Sequence, residues 1–204
     1  MAMHSRSQPP VAPSGGVRER ILEVADYMFY TDGIPQTTIE AIAFQADVSP
    51  RAFARAFASK EDLIVAYIAQ RHQSDVDLFS TIVATGLSPE LVLNVVLSEV
   101  IVDVTSPGFH GCAFINAAIE CRGYVGVQAA VREHREWYAE SATEVLRNAS
   151  HPHPGDAADD VLLARDGAMN SGYGGDPTAA TAALRRAIDK VLAEIPNPPV
   201  SPVR

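Results

Sequence analysis

The chain has 204 residues, a formal net charge of −9 and 47% apolar residues, a composition that fits a globular protein and excludes a disordered one. Its most apolar stretch, residues 91–104, is interrupted by Asn94, Glu99 and Asp103, so the sequence predicts no membrane-spanning helix. The polar residues 1–16 lack the apolar middle of a signal peptide, and two cysteines suit a reducing compartment, so we expect a cytoplasmic protein with free thiols.

The first three predicted elements are helices within residues 17–63. Apolar residues recur at helical spacing in "VRERILEVADYMFYTDG", and Gly33 is the expected C-terminal cap. A second helix should begin at Thr37 or Thr38, where Thr37 and Glu40 could form a capping box. A third should begin at Ser49, a hydroxyl cap followed by a proline.

The remaining elements are also predicted to be helices. A fourth should run from Ser59 to about Gly86 and a fifth should begin at Ser88, before the break at residues 105–111. Further helices are expected at about 114–120, 127–148, 157–173 and 177–194. The sequence therefore predicts an all-α fold of about nine helices. The expected division is a flexible arm (1–16), an N-terminal helical domain (17–63), a second helical domain (64–195) and a flexible tail (196–204).

The second and third predicted helices have the pattern of a helix-turn-helix. Three residues, 46–48, separate them, which leaves room only for a tight turn. Arg51 and Arg55 lie one turn apart on the third helix, and Ala52 and Ala54 keep that face slim enough for a major groove about 12 Å wide. Residues 1–60 hold six basic and six acidic residues, whereas residues 61–204 hold ten and nineteen. A polyanion would therefore meet the first sixty residues.

These observations predict a surface that contacts double-stranded DNA. Backbone N–H groups at helix N-termini bind phosphates, and arginines read guanine edges or bind phosphates. The predicted DNA-binding residues are Thr37, Thr38, Ser49, Pro50, Arg51, Ala52, Arg55 and Lys60. Two capped helices with exposed arginines also occur in helical proteins that bind no DNA, so the pattern alone leaves both interpretations open.

A resemblance favours DNA binding. Gly33, Thr37-Thr38, Ile42-Ala43, Val48-Ser49, Phe57 and Ser59-Lys60-Glu61 with Leu63 follow the order and spacing of the N-terminal domain of the tetracycline-repressor (TetR) family of bacterial regulators. "GFHGCAFINAAIE", "VREHREW" and "GGDPTAA" are similar to the ligand-binding half of one branch. The family usually has glycine at the position of Arg51, and at the position of Ala54 a tyrosine that typically contacts a phosphate.

The resemblance implies a homodimer in which the last two helices of each subunit form a four-helix bundle. Apolar stripes on these helices agree with that expectation, since small residues permit close helix approach. The predicted interface residues are Val161, Leu162, Ala168, Leu184, Ile188 and Val191. The same stripes would also suit packing within one subunit.

The middle helices are expected to enclose a cavity for a small-molecule effector. Aromatic walls with a few polar groups are typical of such sites. The candidate lining residues are Phe79, Leu97, Ile101, Phe114, Asn116, Trp137, Tyr138 and Tyr173. Each of them would also suit simple core packing.

Enzyme and metal chemistry have little support in the sequence. His110, Cys112, Cys121 and His134 match no zinc spacing, and no nucleophile elbow or phosphate-binding glycine loop is present, so we expect no metal, no cofactor and no catalysis. The expected protein is a transcriptional repressor that a hydrophobic or amphipathic ligand releases from a palindromic operator. An all-helical enzyme and a ligand-independent architectural DNA-binding dimer are the alternatives.

Overall fold

The computed structural model describes residues 15–196, and these residues form helices and no strand. The all-α prediction is therefore confirmed, with nine helices in this part of the chain. Their bounds are α1 (Val17–Thr31), α2 (Ile39–Gln45), α3 (Pro50–Ala56), α4 (Lys60–Ala84), α5 (Pro89–Thr105), α6 (Ala113–Glu120), α7 (Val125–Asn148), α8 (Pro154–Gly174) and α9 (Pro177–Ala193). The predicted arm and tail lie almost wholly outside the described residues.

Hydroxyl or carboxylate caps fix the start of four of the nine helices in residues 15–196. The side chains of Ser49, Ser59 and Asp176 each accept a hydrogen bond from a backbone N–H in the first turn of α3, α4 and α9. The start of α2 differs from the capping box considered above, because Thr38 is the cap and accepts from the N–H of Ala41 at 3.1 Å. Gly33 follows the end of α1 with a φ of 88°, as a C-terminal glycine should.

The first three helices and the start of α4 share one small core. Its centre is apolar. There, the rings of Phe29 on α1 and Tyr67 on α4 meet edge to face, with 5.5 Å between the ring centres. The buried residues from the other two helices include Ile42, Phe53 and Phe57. Since α4 continues without a break from this core into the rest of the chain, the predicted boundary at residues 63 and 64 falls inside a helix.

The remaining helices pack around α5 and α7. Only residues 175 and 176 separate α8 from α9, so these two helices form an antiparallel pair. α7 packs against α4, α5, α6 and α8, and α5 also contacts α9. None of the helices in residues 15–196 combines the length and apolar character that a membrane span requires.

Candidate functional site

α3 presents two arginines on a short helix that is anchored from its opposite side. The Ser49 hydroxyl accepts the N–H of Ala52 at 3.2 Å, and Pro50 occupies the first turn. Phe53 is buried in the N-terminal core, whereas Arg51 and Arg55 are exposed. Residues four apart lie on the same helix face, so the two guanidinium groups belong to one cationic surface.

The turn between α2 and α3 is held by a residue from α1. Asp47 has a φ of 51°, a left-handed conformation that places its carbonyl towards α1. The Arg20 Nη2 group donates to that carbonyl at 3.2 Å. Nearby, the guanidinium of Arg18 lies 4.4 Å from the centre of the Phe57 ring. α1 therefore helps to fix the angle at which α3 is presented.

The structure divides the predicted DNA-contacting residues at the start of α2. Thr38 is exposed at the helix N-terminus, together with Ser49 and Pro50 at the start of α3, and Ala52 is half-buried. Thr37 is buried, and its hydroxyl donates to the carbonyls of Gly33 at 2.8 Å and Met28 at 3.2 Å. The structure therefore shows an internal role for the Thr37 hydroxyl, and its predicted contact with DNA stays a prediction.

Lys60 has a structural contact in addition to its place at the start of α4. Its Nζ donates to the carbonyl of Ile34 at 2.7 Å. The backbone N–H of Ile34 donates to Oε2 of Glu120, at the end of α6, at 2.8 Å. Ile34 lies between α1 and α2, so one loop residue connects the DNA-binding helices to both α4 and α6. We name this arrangement of Ile34, Lys60 and Glu120 the Ile34 clamp.

Three further contacts join residues 17–63 to the rest of the chain. The N–H of Gly126, at the start of α7, donates to Glu61 Oε1 at 3.0 Å. The Tyr30 hydroxyl donates to the carbonyl of Gly111 at 3.0 Å and accepts the N–H of His110. Burial raises the pKa of Tyr30 to about 12, so this hydroxyl stays protonated.

The third contact between residues 17–63 and the rest of the chain is a buried ion pair. Arg71 of α4 donates from Nε to the Asp26 carboxylate of α1 at 2.7 Å, and both side chains are almost completely buried. Removing one partner of such a pair typically costs about 3–5 kcal/mol, since the other charge is left without compensation. The orientation of α1 relative to α4 is therefore strongly specified.

Half of the predicted effector-site residues line one cavity. Phe79, Leu97, Trp137 and Tyr138 surround a space between α4, α5, α7 and α8, which we name the central cavity. Ile101 lies outside it, in a groove between α5 and α9 that also touches Leu97.

The other predicted lining residues lie on different surfaces. Phe114 stacks on the His134 ring, with 3.4 Å between the ring centres, and lines a second cavity between α6, α7 and α8. Asn116 donates to the carbonyl of His110 at 2.8 Å. Tyr173 is 57% exposed beside His110, on the outer side of α8. Asn116 and Tyr173 thus lie beside the loop at residues 105–111 and away from the central cavity, and their predicted contact with a ligand stays a prediction.

Sequence reasoning missed two charged residues in the central cavity. Asp75 and Arg165 are each 4% exposed and both line it, and Arg165 also lines the second cavity. The sequence does contain a signal that could have identified Asp75 and Arg165. Each lies among the buried positions of its helix, on α4 and α8 respectively, where a charged residue is unusual unless it has a partner.

The predicted dimer residues lie in the interior of a single subunit. Their exposed fractions range from 1% to 8%, for Val161, Leu162, Ala168, Leu184, Ile188 and Val191. Their predicted place in a dimer interface stays a prediction, whereas in the structure these side chains face the core of their own chain. The physical reason is that the apolar stripe of an amphipathic helix covers the core of its own domain first. A partner subunit could only meet the residues that stay exposed, such as Leu163 and Ala183.

Comparisons with known proteins agree with this architecture. The sequence model of the family described as "Bacterial regulatory proteins, tetR family" matches residues 21–67. A TetR-family transcriptional regulator from Streptomyces coelicolor has a similar structure, with a TM-score of 0.82, 29% identity, and coverage of 88% of this chain and 95% of that one. No curated protein matches the sequence.

Two other solved structures share the fold at lower identity. A TetR transcriptional regulator from Legionella pneumophila has a TM-score of 0.77 at 21% identity and covers 87% of this chain and 97% of its own. The reduced form of E. coli NemR has a TM-score of 0.76 at 16% identity, with coverage of 90% and 99%.

The exposed arginines on a capped α3, the anchored turn and the helical second domain define a helix-turn-helix DNA-binding regulator. Residues 21–67 match the N-terminal domain of the TetR family of bacterial regulatory proteins. The fold as a whole is similar to that of solved TetR-family transcriptional regulators.

Proposed function

We propose that the protein is a homodimeric repressor that binds a palindromic operator and is released when a small apolar or amphipathic ligand enters the central cavity. Arg51 and Arg55 read base edges, and Thr38, Ser49 and the N-terminus of α4 position the phosphate backbone. Phosphate contacts fix register while base contacts give specificity, so the two arginines carry the sequence preference.

The Ile34 clamp is the observation that supports a ligand-controlled repressor most directly. It connects the loop before α2 to α4 through Lys60 and to α6 through Glu120. α4 reaches the central cavity at Asp75 and Phe79, and α6 lines the second cavity through Phe114 and its neighbours. Any displacement of α4 or α6 by a ligand would therefore be transmitted to the helices that meet DNA.

The size of the central cavity supports a change of shape on ligand binding. Its volume is about 30 Å³, which leaves room for no more than a few water molecules. A larger ligand must separate α4, α5, α7 and α8, so it binds better to a conformation with these helices further apart. A ligand shifts an equilibrium only by its preference for one state, and a hundredfold loss of operator affinity needs about 2.7 kcal/mol of coupling.

The dimer is proposed to form through the exposed faces of α8 and α9. On α8, Leu163, Gly167 and Asn170 recur at helical spacing on the exposed side, and on α9 Ala179 and Ala183 do so. Small residues allow the helices of two subunits to approach closely. A two-fold dimer carries two copies of α3, which predicts a palindromic operator.

Binding-site selection with the purified protein tests the DNA-binding part. We expect an approximate palindrome, and Arg51→Ala or Arg55→Ala should each cost about 1–3 kcal/mol and relax specificity at one position per half-site. Arg132→Ala and Arg147→Ala remove the same charge from exposed positions on α7, away from α3, α8 and α9, and should leave the selected sequence unchanged. An architectural protein would instead bind all sequences alike, and an enzyme would select none.

A thermal-shift screen of hydrophobic compounds, followed by operator titration with each hit, tests the release step. The proposal requires at least one compound that raises the melting temperature and weakens operator binding. If stabilising compounds are found and none of them changes operator affinity, the cavity binds ligands without acting as a switch.

A further inference from the structure

The central cavity has a mainly apolar wall that is suited to a ring-shaped ligand. Phe79 and Trp137 meet edge to face with 5.9 Å between their ring centres, and Trp137 meets Tyr138 in the same way at 6.1 Å. Aliphatic residues of α5, including Leu93, complete the opposite side. Flat apolar surfaces of this kind favour aromatic or alicyclic compounds over extended polar ones.

One polar group on this wall has no partner. The hydroxyl oxygen of Tyr138 is buried, and within residues 15–196 no protein group hydrogen-bonds to it. Burial raises the pKa of this hydroxyl, so it remains protonated and able to donate. A buried hydroxyl without a hydrogen bond costs about 1–3 kcal/mol, so a ligand that supplies the missing acceptor recovers that cost.

Two charged groups of opposite sign line the same cavity as Tyr138. The Arg165 guanidinium carbon is 4.8 Å from the centre of the Tyr138 ring, and Arg165 Nη1 donates to Asp166 at 3.0 Å. Asp75, on the α4 side, lies 3.9 Å from His134 Nε2. Among the described residues that line the cavity, Asp75 supplies the one carboxylate and Arg165 the one guanidinium.

This balance of charge argues against an ionised ligand. An anion would gain from Arg165 and lose to Asp75, and a cation would do the reverse, so neither would recover the cost of leaving water. Behind Arg165, Asp166 accepts from both Arg165 and Arg135, so these two guanidinium groups are matched in number by the carboxylates of Asp166 and Asp75. The local charges are thus already neutralised by one another.

We infer that the central cavity takes a neutral, hydroxylated ring compound of the phenol type. Its hydroxyl accepts a hydrogen bond from Tyr138 and donates one towards the Asp75 carboxylate, and its ring lies against Phe79 and Trp137. This inference rests on the proposed effector role of the cavity and specifies the chemical class of the ligand.

Calorimetric titration of the full chain without DNA tests the inference with four matched compounds: naphthol, naphthalene, naphthoate and naphthylmethylammonium. We expect naphthol to bind about tenfold more tightly than naphthalene, the value of one hydrogen bond to a buried donor, and both ions to bind more weakly than naphthol. Tyr138→Phe should remove the preference for naphthol and leave the affinity for naphthalene within about twofold. Tyr173→Phe, which deletes an exposed hydroxyl outside the cavity, should retain the preference.

Several results would overturn the inference. They are tighter binding of either ion than of naphthol, equal binding of naphthol and naphthalene, an unchanged preference in Tyr138→Phe, or binding of none of the four compounds. Because DNA is absent from these titrations, the proposed repressor function is tested separately. If naphthol binds with the expected preference but leaves operator affinity unchanged, the ligand class stands and the release mechanism fails.

Discussion

At the scale of single residues, the two adjacent threonines before α2 have different roles. Thr38 caps α2 from an exposed position, whereas Thr37 is 2% exposed and bonds the carbonyls of Met28 and Gly33. The sequence indicated that a threonine caps this helix, but it could not decide which one. That choice depends on where the loop at Gly33 folds back onto α1, which is a tertiary contact.

The substitution Thr37→Val tests the structural role of Thr37. Valine keeps the shape and removes the hydroxyl, so the free energy of unfolding should fall by about 1 kcal/mol in urea denaturation. Operator affinity, measured well below the unfolding transition, should not change, because a side chain that is 2% exposed has little surface to offer to DNA. A clear loss of affinity with unchanged stability would instead show that Thr37 contacts DNA.

At the scale of helices, caps could be predicted and packing partners could not. Ser49 and Ser59 were correctly identified as the residues that begin α3 and α4, because capping is a local interaction. The apolar stripes of α8 and α9 were identified too, but they cover the subunit's own core. Periodicity shows which face of a helix is apolar, and it does not show which neighbour covers that face.

The contact between α5 and α8 offers a test of close packing. A methyl group added at Gly172 would lie 2.3 Å from Val104 Cγ1. Gly172→Ala should therefore force the two helices apart and lower the free energy of unfolding by about 1–3 kcal/mol. Gly155→Ala is the matched control near the start of α8, where an added Cβ has no neighbour within 4 Å. The control should be neutral or slightly stabilising, and equal losses in both variants would contradict the close approach.

At the scale of the whole molecule, the contacts between the DNA-binding helices and the second domain come from residues far apart in sequence. Glu120 and Ile34 are separated by 86 positions, and Arg71 and Asp26 by 45. Helix patterns located the elements that carry these residues. The pairing itself depends on how the helices assemble, and for that reason neither Glu120 nor Arg71 was identified from the sequence.

Amide hydrogen exchange can measure the strength of the Ile34 clamp. Glu120→Ala removes the acceptor of the Ile34 N–H, so exchange in the segment between α1 and α2 should accelerate by about tenfold or more. The buried amides of α7 and α8 should keep their protection. Glu133→Ala, at an exposed position of α7, is the control and should leave the segment unchanged. Unaltered exchange in Glu120→Ala would mean that α6 does not hold the DNA-binding helices in place.

The proposed dimer makes a prediction that separates its interface from other exposed apolar surface. Leu163 on α8 is 65% exposed and Leu91 on α5 is 50% exposed, so the two residues are similar in kind and in exposure. Leu163→Arg would bring two guanidinium groups towards the two-fold axis of an α8–α9 interface, where like charges repel and must leave water. Sedimentation velocity at micromolar concentration should then show a monomer.

Loss of the dimer also removes the second reading helix, so operator affinity should fall by about a hundredfold or more. Leu91→Arg should remain a dimer with unchanged affinity. If Leu163→Arg sediments as a dimer, or if Leu91→Arg dissociates instead, the subunits meet through a surface other than the exposed face of α8.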